Sequence, residues 1–205
     1  MINKTGMRKE ILRIYAVVSL LLVADMTAYY LYKISLRGYY SDLILFWFWF
    51  LGTIAIIILF WKKIMAKVLL VAMILGLIMS ILPMMLPFYA LVLAITPIGL
   101  RMNKDLNKNY RAQIVGYSVM AYPVLQVIEK KGILEKQVFQ CDDFQLPDDH
   151  IDLKIRDAKD IIFDQETDRT LNLTLFYGGP NLKLTFDKAT GNLIKKPNPA
   201  HENQL

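Results

Sequence analysis

The chain has 205 residues, 55% of them hydrophobic, with 24 Lys or Arg against 18 Asp or Glu. Its net charge of +6 lies in the first 100 residues, which hold nine basic and three acidic side chains, while the remainder balances fifteen against fifteen. No basic surface for nucleic acid is expected, and the single cysteine, Cys141, leaves neither an intramolecular disulfide nor a Cys/His zinc site.

Residues 11–100 are almost continuously apolar. Lipid offers no partners for backbone N–H and C=O groups, so such a stretch is expected to cross a bilayer as helices. Residues 1–13 form a basic flank carrying Lys4, Arg8, Lys9 and Arg13, predicted to face the cytoplasm, and the first span is predicted over 14–32. Its length, the lack of a clear small-x-small site and the spans that follow predict a retained helix rather than a cleaved signal peptide. Asp25 lies near the middle of this span. A charge there costs at least ~2.5 kcal/mol, which makes Asp25 a candidate for ion or proton handling, for pairing with another chain, or for a structural hydrogen bond to Thr53 or Ser80.

The second span, 43–61, opens on a cluster of Phe and Trp that includes Trp47 and Trp49 and ends at Trp61. Aromatic rings of this kind settle at lipid headgroups, so the three tryptophans are expected to mark the interfaces. Residues 64–100 are too long for one span and barely enough for two. Charge favours two, 65–82 and 84–100, broken around Pro83 and Pro87. Eleven basic residues then flank the inner face and only Lys33 and Arg37 the outer, whereas three spans would give seven against six. Ala72, Gly76 and Ser80 form a small-residue ladder on the third span, expected to pack within the bundle or against a second copy.

A basic hinge is predicted over 101–111 and a soluble β domain over 112–196. Alternating apolar residues predict strands at 124–129, 133–140, 151–155, 171–175 and 182–186. Six or seven antiparallel strands would close into a small all-β meander or partly open barrel, because a flat meander leaves its edges bare. The polar tail 197–205 is expected to be disordered. Phe139, Phe144, Phe163, Phe176 and Tyr177 are candidates for a ligand or partner surface. The acidic loop with Asp142, Asp143, Asp148, Asp149, His150 and Asp152 lacks the rhythm of a calcium loop and reads as solvated.

With two histidines and no nucleophile elbow, phosphate loop or metalloprotease helix, no catalytic residue, cofactor or metal is assigned. The expectation is a four-span helical bundle, with three spans as the alternative, carrying a small β domain on the cytoplasmic side of a bacterial inner membrane. Such a protein would act without catalysis, through a protein partner or homo-oligomer, as an accessory or immunity-type protein. A second reading is a sensor whose β domain binds a small molecule, and a third is a carrier or lipid-modifying enzyme using Asp25.

Overall fold

The computed structural model describes residues 4–81, 86–118, 121–146, 153–179 and 181–194, which divide into two units, Met1–Pro97 and Ile98–Leu205. The first unit opens with helix α1, Lys4–Tyr32. At ~1.5 Å per residue it is about 44 Å long, more than the ~30 Å hydrocarbon core. It starts ten residues before the span expected from hydropathy, because Arg8, Lys9, Glu10 and Arg13 are good helix formers outside lipid, with Arg13 paired to Glu10 at 2.7 Å. Lys33 stops it in the left-handed region (φ 57) while its N–H still bonds the Tyr29 carbonyl at 3.0 Å.

A short extended segment β1, Ile34–Leu36, leads to Gly38 and helix α2, Tyr39–Leu59, which carries Asp42 in its first turn where the helix dipole favours an anion. After a turn holding Trp61, Lys62 and Lys63, helix α3 covers Ile64–Ile81. Helices α1, α2 and α3 are long and apolar enough to cross a membrane. Their outward surface is aliphatic, with Leu20, Ile58 and Ile64 each at least 70% exposed, which suits a membrane protein surrounded by lipid.

The expected fourth span is not a continuous helix. Residues 84–85 lie outside the described residues; helix α4, Leu86–Ile95, ends short of the expected 100, a 3-10 turn, Pro97–Gly99, follows, and Leu100 already belongs to a strand. Pro97 has no N–H to continue the helix, and the Thr96 hydroxyl bonds back to the Val92 carbonyl at 2.6 Å.

The second unit begins directly with strand β2, Leu100–Asp105, followed by β3, Tyr110–Val115, β4, Val124–Lys131, and β5, Leu134–Cys141. Each pairs antiparallel with the next. The expected basic hinge over 101–111 is therefore a correction: it is a β-hairpin, whose turn is set by the Asn107 carboxamide accepting from the backbone N–H groups of Asn109 and Tyr110. Strands β6, Asp160–Glu166, β7, Thr170–Phe176, and β8, Asn181–Asp187, form a second antiparallel sheet in that order. One core joins the two sheets: Ala112, Ile114, Leu125 and Val127 meet Leu171, Leu173, Leu184 and Phe186, and the Phe139 and Phe186 rings stack at 5.1 Å.

The single meander or barrel is thus corrected to two sheets. The division falls where a strand was expected at 151–155. Residues 151–152 lie outside the described residues, and Ile155–Asp157 is a 3-10 turn. A capping box between Asp142 and Gln145 turns the chain at the end of β5, and Asp143 Oδ1 accepts the Ile155 N–H at 2.8 Å. The predicted tail, 197–205, and Asp148, Asp149, His150 and Asp152 also lie outside the described residues.

Candidate functional site

In the helical unit polar side chains of α1 and α2 pair the two helices with one another. Tyr15 and Thr53 hydroxyls meet at 3.0 Å, Trp49 Nε1 donates to Ser19 Oγ at 3.2 Å, and Gly52 lets the Tyr15 ring lie against α2. Trp49 thus packs α1 against α2, and Trp61 is exposed in the turn after α2. Asp25 is half-buried and accepts a hydrogen bond from the Leu36 backbone, so it tethers the segment after α1 to the helix. Neither expected neighbour is its partner: Thr53 bonds Tyr15, and Ser80 donates to the Leu77 carbonyl at 2.7 Å.

Ala72 and Gly76 are exposed, and a Cβ added at Gly76 would meet nothing within 4 Å. Packing of this ladder within the bundle is overturned. Helix α4 is held by its C-terminal end instead: Trp47 Nε1 donates to the Ile95 carbonyl at 2.8 Å and the Tyr39 hydroxyl to the Thr96 carbonyl at 3.2 Å. Tyr39 and Trp47 both lie in the first half of α2, so α4 finishes at the level where α2 starts.

In the β unit the five aromatic candidates do not converge. Phe139 is buried in the core against Phe186; Phe163 and Tyr177 pack against that core; Phe176 lies at the end of β7; and Phe144 is 80% exposed. Burial, then the nearby charges of Asp143 and Asp157 and the Cys141 thiol, pushes the Tyr177 hydroxyl up to about 12.

Sequence reasoning missed the most elaborate polar array, on the sheet face opposite the core. Arg111 on β3 and Glu135 on β5 are 5% and 3% exposed and form a two-pronged ion pair, with Arg111 Nε to Glu135 Oε2 at 3.0 Å. Arg111 also donates to Gln113 at 2.5 Å and Asn103 at 3.2 Å, and Gln113 donates to Gln126 at 2.8 Å. Asp105 and Lys130 pair at 2.6 Å on the same face. The signal is polar residues at every second position, 111 and 113, facing 126 across the register, whereas Arg111 taken alone resembles the end of a basic hinge.

Two further pairs link the sheets. Lys104 donates to both Asp160 oxygens at 2.6 and 2.7 Å, and the Tyr110 hydroxyl and Lys188 donate to Glu166 Oε1 at 3.1 and 2.5 Å. The Lys104 hydrogen bond holds the Asp160 carboxyl below the usual carboxylate range, and the Lys188 bond does the same for Glu166. Burial, aided by Glu166, pushes Tyr110 up to about 12.

These bonds tie Asn103, Arg111 and Gln113, Gln126 and Glu135 together across strands β2, β3, β4 and β5. Among the described residues no three of His, Cys, Asp and Glu come together as a group that could hold a metal ion. Comparison with protein-family models, with curated proteins and with solved structures returned no match.

Proposed function

We propose that the chain crosses the membrane three times, N-terminus inside, and presents its β unit on the opposite side as a rigid docking module for another protein. The observation that carries the reading is the seat of α4. Its last carbonyls bond Tyr39 and Trp47, in the first half of α2. A returning fourth span would instead finish beside Leu59, at the other end of α2.

The charge count that favoured four spans then changes meaning. Arg101, Lys104, Lys108 and Arg111 lie in or between strands of a folded domain, with Arg111 and Lys104 paired to acids. Folded domains translocate largely regardless of such charges. What counts is Lys4, Arg8, Lys9, Arg13, Lys62, Lys63 and Lys67 on one side against Lys33 and Arg37 on the other. This orientation puts the β unit outside the cytoplasm, and the membrane we propose is a bacterial cytoplasmic membrane.

A non-catalytic accessory or immunity-type role fits a polar array whose charged members, Arg111 with Glu135 and Lys130 with Asp105, are paired to one another, and Asp25 is read as a structural tether for the segment after α1. The sensor reading loses its main motive, since Phe139 lies in the core and the other aromatics are dispersed. The test is in-cell cross-linking from a photoreactive residue at Ile133, which is 82% exposed in the β4–β5 turn. A discrete adduct whose mass differs from that of two copies of the chain is expected. Recovery of the chain alone, together with stabilisation of the full-length protein by a small metabolite, would replace docking by sensing.

A further inference from the structure

The end of the β unit at which the chain enters it carries an exposed aromatic and aliphatic cluster. Register places its parts together. Leu100 pairs with Val115, Val115 with Val124, and Leu125 with Cys141, so the start of β2, the β3–β4 connection and the exit of β5 share one end of the sheet. The Gly116 N–H bonds the Gly99 carbonyl at 2.8 Å, which fastens the β3–β4 connection to the entering chain.

At that end Ile98 is 72% exposed, Tyr117 and Tyr122 are exposed, and Phe144 meets Tyr122 edge-on at 6.1 Å. Lys154 Nζ lies over the Tyr122 ring at 5.6 Å. We infer that this end is a lipid-interface foot, which seats Ile98, Tyr122 and Phe144 in the boundary layer of the membrane that the helical unit spans.

Three observations select lipid as the occupant. Ile98 follows directly on Pro97 of the helical unit, so covalent continuity keeps this end near the bilayer. Tyrosine partitions to headgroup depth, where its phenol tip stays hydrated, and Ile98 and Phe144 beside it offer apolar surface to the acyl boundary. Lys154 supplies a cation on a long stem that reaches lipid phosphates while its methylenes stay with the rings.

Site-directed spin labelling of the full-length protein in nanodiscs of phosphatidylcholine and phosphatidylglycerol tests this. Phe144→Cys and Gln165→Cys, both at exposed positions, each receive a nitroxide, and native Cys141, fully buried, stays unlabelled. At 144 collisions with oxygen are expected to exceed those with a water-soluble nickel chelate, and at 165 the order reverses. Tyr122→Cys repeats the reading from the other side of the cluster. Water-type accessibility at both 144 and 122 would overturn the foot and leave the face open to a protein.

Discussion

The Arg111–Glu135 pair is where the β unit is most exposed to a single change. Glu135→Ala removes the carboxylate and leaves the Arg111 guanidinium, 5% exposed, with only Gln113 and Asn103 as acceptors. Breaking one partner out of a buried ion pair costs ~3–5 kcal/mol, and two surviving neutral acceptors place this case near the lower figure, about 3 kcal/mol. At a urea slope of ~1 kcal/mol per molar the unfolding midpoint of the β unit falls by about 3 M. Pulse proteolysis of the full-length protein in mild detergent at rising urea reads that midpoint. Glu135→Gln keeps an acceptor and loses roughly half as much, and the paired change Arg111→Met with Glu135→Leu recovers most of the loss because no charge stays stranded. A Glu135→Ala midpoint no lower than that of Asp168→Ala, an exposed position in the β6–β7 turn, would refute the reasoning.

Raising the pH has a defined effect on the β unit. Tyr110 and Tyr177 each titrate near 12 when folded against about 10 when unfolded, so they hold their protons more tightly in the native state. Their stabilisation is complete below pH ~10 and is lost as pH rises toward 12; Tyr110→Phe should flatten that alkaline limb in a thermal-unfolding series. On the acid side Asp160 and Glu166 are shifted down, so their contribution is present above pH ~4 and fades as pH falls below it; Lys104→Met should remove the Asp160 part. Gly191 has φ +72, and a Cβ there would meet the Val138 carbonyl oxygen at 3.1 Å, so Gly191→Ala should destabilise by ~1–2 kcal/mol in the same urea assay, whereas Gly76→Ala should leave the protein unchanged. Asp25→Asn keeps an acceptor for the Leu36 N–H and should leave yield and thermal stability in detergent near those of the parent, while Asp25→Leu lowers both.

The helices and most strands were legible because their signals are local. Aliphatic runs mark α1 to α3, and alternation with Gly132 or Gly178 and Gly179 between runs marks β4, β5, β7 and β8. What escaped depends on distant partners. Strands β2 and β3 carry Arg101, Lys104 and Arg111, which in isolation resemble a membrane flank; only pairing to Asp160 and Glu135 makes them sheet residues. Strand β6 offers Ile161 and Phe163 inward but Asp160, Asp164, Gln165 and Glu166 around them, too polar a pattern to stand out. The end of α4 was hidden for a related reason: 84–100 is uniformly apolar, and the carbonyls that Trp47 and Tyr39 anchor lie about fifty residues downstream of them. Aromatic residues misled in the opposite direction, since a Phe that looks available in sequence, such as Phe139, can be the centre of a core.

The number of crossings is most directly tested by thiol labelling of the full-length protein in cells. Single cysteines at Gln165, in the β unit, and at Lys62, between α2 and α3, are both exposed, whereas native Cys141 is buried and stays silent. With any outer membrane made passable, an impermeant maleimide should label position 165 in intact cells and position 62 only after the cytoplasmic membrane is opened. Labelling of both positions only after opening would return the β unit to the side of the N-terminus and contradict the three-span account.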